Sequence, residues 1–112
     1  MSYICHNIND VFSKLAGAYA PNTLKSYYAD ARSFVDWCNQ RKVQPFPLTS
    51  ETICHFIESL QTDYSYSSIR RRISALRRLN RLLGFEDQTH TEEVYIAIRR
   101  LKRTKCLEQR QA

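Results

Sequence analysis

The stretch SSIRRRISALRRLNRLL, residues 67–83, decides how the rest of the chain is interpreted. At about 100° per residue, its isoleucines and leucines fall on one side of a helix and most of its arginines on the other. No acidic residue occurs from residue 64 to residue 85, so these arginines lack the i,i+4 partners that support exposed charges on a helix. The pattern predicts an amphipathic helix that packs by its apolar side and exposes a strongly cationic one.

Five arginines and two serines make up the cationic side, which we call the arginine ridge. Arginine offers paired N–H donors to phosphate oxygens and to guanine edges, and serine permits a close approach. Like charges at these spacings repel one another, so the ridge costs stability unless an anionic partner offsets it. A nucleic acid is therefore favoured over a merely solvated helix face. The members of the ridge are Ser67, Arg70, Arg71, Ser74, Arg77, Arg78 and Arg81.

Arg72 departs from this pattern because it falls on the apolar side of the helix. Its stem can snorkel from the first turn, or its guanidinium can pair with an acidic residue of another helix. Either structural role is favoured over contact with a ligand.

Helical periodicity extends through the rest of the chain, where three prolines and two glycines are the main breaks. No segment shows the sustained alternation of apolar and polar residues that is typical of a strand. The sequence therefore predicts an all-α protein, a compact bundle of about five short helices. In chain order, the helices are expected over about 8–18, from a cap at Asn22 or Thr23 to 39–42, from a cap at Thr49 to the turn at 63–66, from Ser65 or Ser67 to Gly84, and over about 90–105.

The fifth helix is expected to begin with a capping box formed by Thr89 and Glu92. The residues that follow it have the composition of a frayed end or a linker. We therefore expect a single domain over residues 1–105, with 106–112 as a tail or the start of an interdomain linker. The apolar positions assigned to the fifth helix are Val94, Tyr95, Ile96, Ile98 and Leu101.

Positive charge is concentrated in the second part of the chain. Residues 1–66 hold five Lys or Arg and six Asp or Glu, whereas residues 67–112 hold twelve and five. The formal net charge of +6 therefore arises beyond residue 66, which favours a polyanion-binding surface over general solubility. A weaker basic site, Lys25 with Arg32 two turns later, lies at the start of the second helix.

The four cysteines are widely spaced and form no C-x-x-C pair. This spacing favours reduced thiols in a cytoplasmic protein over a disulfide framework or a zinc site. No stretch approaches the ~18 consecutive apolar residues needed to cross a bilayer. We therefore expect no metal, no cofactor, no small-molecule substrate and no membrane span.

The order and spacing of several short segments resemble the N-terminal core-binding domain, a SAM-like domain, of the tyrosine recombinase and phage integrase family. Within that family the similarity is greatest to Cre. In the family this domain clamps one face of duplex DNA opposite a separate catalytic domain, so the resemblance implies sequence-specific DNA binding, with other recombinase protomers as further partners. The segments include Thr23-Leu24-Lys25, Arg32-Ser33, Trp37-Cys38, Ile57 to Gln61, Ser68-Ile69 and Ile98 to Lys102, and they span about residues 8–105.

The resemblance also implies roles for individual residues. Three arginines follow Ser68-Ile69 where Cre-like proteins carry lysine and glutamine, which suggests heavier reliance on phosphate or guanine. The implied contacts are Thr23, Lys25 and Ser26 in or beside the major groove, with Arg32 on the same side, Ser67, Ser68 and Arg71 on backbone or bases, and Arg99 and Arg100 on phosphates.

Catalytic residues of the family belong to a later domain, and no His-x-x-Arg box occurs in this chain. We therefore expect no catalytic residue here, and DNA binding without cleavage by an N-terminal piece of a recombinase. One alternative is a free-standing accessory DNA-binding protein that acts with a recombinase or another partner. A second, peripheral membrane binding through the basic helix, is disfavoured because the apolar side of that helix is needed for packing.

Overall fold

The computed structural model describes the backbone of residues 12–111 and the side chains of residues 12–108. The described residues contain no β-strand, only an isolated bridge between Ala16 and Tyr19. The predicted all-α class is therefore confirmed. A helical segment at residues 12–15 precedes four longer helices, which are α1 (Pro21–Arg41), α2 (Ser50–Leu60), α3 (Tyr66–Leu82) and α4 (Glu92–Gln111).

The first helical segment ends earlier than predicted. A helix over about 8–18 was expected, of which residues 8–11 lie outside the described part of the chain. Helical structure stops at Leu15, and Gly17 adopts a φ of 89°. Glycine reaches this left-handed region at little cost, so the chain turns there instead of continuing the helix.

The start of α1 also differs from the prediction. Pro21 is its first residue, and the preceding Ala20 provides no side-chain cap. The expected cap at Asn22 or Thr23 is wrong because proline suits the first helical position, where its missing N–H leaves no bond unmade. The helix ends as predicted, with Lys42 in the left-handed conformation at φ 60°.

Hydroxyl side chains cap the next two helices, as predicted. The backbone N–H of Thr52 donates to Thr49 Oγ1 at 3.2 Å, and that of Ser68 donates to Ser65 Oγ at 3.2 Å. Each bond satisfies an N–H that the first turn of a helix leaves without a partner. A single residue at each position, Thr49 and Ser65, therefore determines where these two helices begin.

Gly84 terminates α3, again as predicted. Its φ is 94°, and its N–H donates to the carbonyl of Arg81 at 2.9 Å. The N–H of Phe85 donates to the carbonyl of Asn80 at 3.1 Å. This pair of bonds is a Schellman motif, which needs a residue that tolerates positive φ.

The predicted capping box of α4 is wrong. The helix begins after Thr91, whose carbonyl accepts the N–H of Tyr95 at 3.1 Å. Thr89 is buried, and its hydroxyl is occupied by Asp87 and Arg77. The helix also continues to residue 111, whereas an end near residue 105 and a frayed tail were expected.

Two apolar residues assigned to the inner side of α4 are exposed. Tyr95 and Ile96 keep 51% and 45% of their surface, while Val94 and Leu101 are buried. Val94 and Leu101 are seven positions apart and define the packed side, from which Ile96 is rotated by about 150°. Within the described part of the chain, no helix combines the length and the apolar content that are needed to span a bilayer.

An aromatic cluster joins α1, α2 and the connector between them. The ring of Phe34 lies 5.8 Å from that of Phe46 and 5.0 Å from that of Phe56, both edge-on. Helix α1 packs mainly on α3, and α2 mainly on α4. This arrangement buries the apolar side of α3 and leaves the ridge outside. The buried apolar residues of α3 are Ile69, Ile73, Ala75, Leu76 and Leu79.

Cys38 is buried in this core. Burial raises the pKa of its thiol to about 12, so it stays protonated at neutral pH. Cys54 is half-buried, and burial, followed by the charges of Glu93 and Glu58, raises its pKa as well. Neither thiol has the character of a reactive nucleophile.

Asn80 is a buried polar residue of α3 that the sequence pattern did not single out. Its Oδ1 accepts the backbone N–H of Leu48 at 3.0 Å, and its Nδ2 donates to the carbonyl of Glu86 at 3.2 Å. Leu48 belongs to the connector before α2, and Glu86 to the loop before α4. One side chain therefore fixes two irregular segments to α3.

Candidate nucleic-acid interface

Part of the arginine ridge lines a groove on the outer side of α3. Tyr27 of α1 and His90 of the loop before α4 also line this groove, so three segments of the chain form it. The apolar side of α3 is committed to the core, which fixes the orientation of the helix. The ridge residues in the groove are Arg71, Ser74, Arg77, Arg78 and Arg81.

Asp30, a buried carboxylate of α1, contacts two arginines of α3. Arg71 Nη1 donates to Oδ2 at 2.6 Å and Arg71 Nη2 to Oδ1 at 3.5 Å, while Arg72 Nη1 lies 3.8 Å from Oδ1. The guanidinium of Arg72 also lies over the ring of Tyr64, 4.3 Å from its centroid. Of the two structural roles expected for Arg72, snorkelling or pairing with an acidic residue of another helix, the structure shows the pairing. The pairing of Arg71 was not predicted.

Arg77 holds the loop before α4 against the ridge. Its Nε donates to Thr89 Oγ1 at 2.8 Å, and its Nη2 donates to the Thr89 carbonyl at 3.1 Å. Thr89 in turn donates its N–H and its hydroxyl to Asp87 Oδ1. His90 Nε2 lies 2.9 Å from Asp87 Oδ2. Arg77, which the sequence placed on the free ridge, is therefore half-buried and partly structural.

Two other ridge arginines rest on tyrosines. Arg78 donates to the hydroxyl of Tyr19 and Arg70 to that of Tyr66, each at 2.9 Å, and both arginines remain exposed. Among the described residues, Arg71 is the one ridge arginine with a carboxylate within 4 Å. The exposed ridge arginines other than Arg71, which are Arg70, Arg78 and Arg81, therefore keep their charge available for a ligand.

The predicted residues of α1 lie outside this groove. Lys25 and Arg32 are exposed on the side of α1 turned away from the core. Thr23 is half-buried, and Ser26 is exposed one turn before Asp30. Ser26 is thus the member of this set that lies four positions from Asp30, on the same face of α1 as the carboxylate that binds Arg71.

The two predicted serines at the start of α3, Ser67 and Ser68, lie in different environments. Ser67 is exposed and lines a second groove together with Lys102 and Lys105 of α4. Ser68 is half-buried, and its N–H is used in the helix cap.

Arg99 and Arg100 are exposed on α4 and do not line the ridge groove. Arg100 instead lines a third groove, between α2 and α4, with Arg103 and Glu58. The structure therefore separates these two arginines from the ridge.

Asp30, Tyr27 and His90 were missed as parts of the site. A usable signal existed for Asp30, because it lies three residues after Tyr27 and four before Phe34, on the stripe that packs. An acid in one apolar stripe and Arg72 in another indicate a pair between helices. Nothing in the sequence pattern around His90 indicated that it would line the site.

The Asp87 network predicts a loss of stability in acid. Burial acts to raise the pKa of Asp87, but hydrogen bonds from the Thr89 side chain and backbone, with the charges of His90 and Arg77, outweigh it and lower the pKa. Because the pKa of Asp87 is lower in the folded than in the unfolded protein, its ionised form stabilises the fold. This stabilisation is complete above the pKa in the unfolded protein, about 4, and is lost as the pH falls through the pKa in the folded protein. Urea unfolding of wild type and Asp87→Asn should therefore differ at pH 7, and the difference should shrink as the pH falls below about 4.

Glu86→Gln is the matched control, since Glu86 is exposed and its side chain has no ion pair among the described residues. It should leave the pH profile of stability unchanged. A difference between wild type and Asp87→Asn that persists undiminished to pH 2 contradicts the assigned network.

The comparisons with known proteins agree with this architecture. The family described as the phage integrase N-terminal SAM-like domain matches residues 12–86, which include α1, α2 and α3. A protein of Selenomonas ruminantium described as an integrase/recombinase xerD homolog is 35% identical over 72 residues, which are 64% of this chain and 21% of that protein. The match thus spans about a fifth of the relative's length. Neither comparison supports the expected particular similarity to Cre.

Proposed function

Because the chain belongs to the family of phage integrase N-terminal SAM-like domains, we propose that it binds duplex DNA with sequence specificity as the N-terminal domain of a site-specific tyrosine recombinase. The relative described as an integrase/recombinase supports the same assignment. The observation that carries the proposal is the groove along α3, which several guanidinium groups line. Within residues 12–108, only one ridge arginine has a carboxylate within 4 Å.

The ridge supplies most of the contacts in this proposal. Helix α3 is held by its apolar side, so it can lie against a duplex without rearranging, and the major groove is wide enough for a helix. Exposed arginines bind phosphates, while the serines allow close approach to the bases. The proposed contacts on α3 are Ser67, Ser68, Arg70, Arg71, Ser74, Arg77, Arg78 and Arg81.

Two further sets of residues extend the proposed surface beyond the ridge groove. On α1 they are exposed or half-buried polar side chains, and on α4 they are exposed arginines suited to phosphates. Other recombinase protomers on the same DNA are the proposed protein partners, in the cytoplasm of a bacterial or phage-infected cell. Cleavage belongs to a separate domain in this proposal. The additional residues are Thr23, Lys25, Ser26, Arg32, Arg99 and Arg100.

The salt dependence of duplex binding tests the proposal. If about five phosphates are contacted, log K should fall with log[salt] at a slope near −4.5, because each contact releases condensed counterions. Fluorescence anisotropy of a labelled duplex, titrated at several salt concentrations, measures this slope. Binding that does not respond to salt, or no binding at all, contradicts the proposal.

A pair of charge-matched variants locates the contact. Arg81→Ala removes an exposed ridge arginine and, if Arg81 neutralises one phosphate, should reduce the magnitude of the slope by about 0.9. Arg41→Ala removes the same charge from a different groove, beside Trp37, and should leave the slope unchanged. Equal effects of the two variants mean that the duplex does not lie along the ridge.

A further inference from the structure

Arg71 differs from the other exposed ridge arginines in how firmly it is held. Both of its terminal nitrogens donate to Asp30, whose carboxylate is buried in the packing between α1 and α3. On the other side of that carboxylate, Arg72 is only 15% exposed and is covered by Tyr64. Because the Asp30 carboxylate is buried and contacted from two sides, its position is fixed. It therefore fixes the plane of the Arg71 guanidinium.

The contact with Asp30 leaves a defined set of donors free. A guanidinium has five N–H groups, and an end-on pair uses one from each terminal nitrogen. The Nε–H and the outer N–H of Nη2 remain as two parallel donors along one edge. The Arg71 side chain is 47% exposed and lines the ridge groove, so ligands can reach this edge. Two parallel donors match the O6 and N7 acceptors of guanine in the major groove.

Pairing with Asp30 also changes what Arg71 contributes electrostatically. Its charge is partly offset by the Asp30 carboxylate, so it adds less to sequence-independent attraction for phosphates than an arginine without such a partner. Arg81 and Arg78 have no carboxylate within 4 Å in the described part of the chain. An arginine that is oriented but partly neutralised is better suited to distinguishing bases than to general affinity.

We propose that Asp30 is a positioning residue that orients Arg71 to recognise a guanine in the major groove. This inference rests on the proposed function and adds to it a specificity-determining pair. It assigns one base position of the target site to Arg71 and leaves phosphate attraction to the unpaired arginines.

Selection from random duplexes, followed by sequencing of the bound pool, tests the inference with four proteins. Wild type should enrich a guanine at one position by about 5- to 150-fold over other bases. Arg71→Lys keeps the charge and can still reach Asp30, but it has no planar two-donor edge, so the guanine preference at that position should fall well below that of wild type. The salt slope should be unchanged.

The double variant Asp30→Asn with Arg72→Met removes the carboxylate without leaving Arg72 buried and unpaired. It should lose the same guanine preference and no other, while Arg72→Met alone should keep it. A fold defect would weaken all positions together, so loss at one position separates orientation from stability. Arg71→Lys remains informative even where the double variant does not fold.

The outcomes separate this inference from the proposed function. Salt-dependent duplex binding in which Arg71→Lys or the double variant retains the wild-type guanine preference overturns the inference alone. Absence of duplex binding by wild type overturns both.

Discussion

Replacing Asp30 with alanine is expected to lower the free energy of unfolding by about 3 kcal/mol. The substitution leaves Arg72 largely buried without its carboxylate and releases Arg71 from α1. Removing one partner of a buried ion pair costs more than the pair contributes, because the remaining charge stays desolvated. Urea denaturation followed by circular dichroism at the helical minimum measures the change.

Asp36→Ala provides the control for this variant. Asp36 lies on the same helix but is exposed, and it forms no ion pair among the described residues, so its loss should change stability by less than about 0.5 kcal/mol. Adding Arg72→Met to Asp30→Ala should restore part of the lost stability. If the double variant is less stable than the single one, the desolvated guanidinium is not the cause.

Replacing Asn80 with alanine should destabilise the fold by about 2–3 kcal/mol. The buried N–H of Leu48 would lose its acceptor, and the carbonyl of Glu86 would lose a donor. The N–H of Leu48, left buried without an acceptor, would carry the full cost of desolvation. The carbonyl of Glu86, an exposed residue, can accept a hydrogen bond from water instead. Thermal or urea unfolding gives the magnitude.

Asn22→Ala is the matched substitution, since Asn22 is exposed in the first turn of α1. We expect it to be nearly neutral, because alanine favours helix and no cap bond is lost. Hydrogen exchange offers a second measurement: the amide of Leu48 should lose protection in Asn80→Ala and keep it in Asn22→Ala. Unchanged protection of Leu48 in Asn80→Ala contradicts the bond assigned here.

The sequence predicted features that depend on local chemistry. Thr49 and Ser65 cap helices because a hydroxyl in that position satisfies a first-turn N–H, and Gly84 stops α3 because it alone tolerates the required φ cheaply. The apolar side of α3 followed from its period. These features need no knowledge of the rest of the molecule.

The features that the sequence did not predict depend on contacts between distant residues. Thr89 carries a capping signal, but Arg77 and Asp87 bind its hydroxyl, so α4 begins after Thr91 instead. Arg71 looked free on a helical wheel because Asp30, 41 positions away, is not visible there. Periodicity identifies which side of a helix packs, and it cannot say which polar groups meet across the packed helices.

Trp37 is the single tryptophan of the chain, and its ring packs edge-on against Phe56 with the guanidinium of Arg41 above it. It lines a groove between α1 and α2 that shares no residue with the groove along α3. Indole emission is therefore an intrinsic optical reporter of foldedness that is insensitive to occupancy of the ridge. A titration that records both this emission and the signal of a dye on the nucleic acid distinguishes a variant that has unfolded from a folded variant that no longer binds DNA.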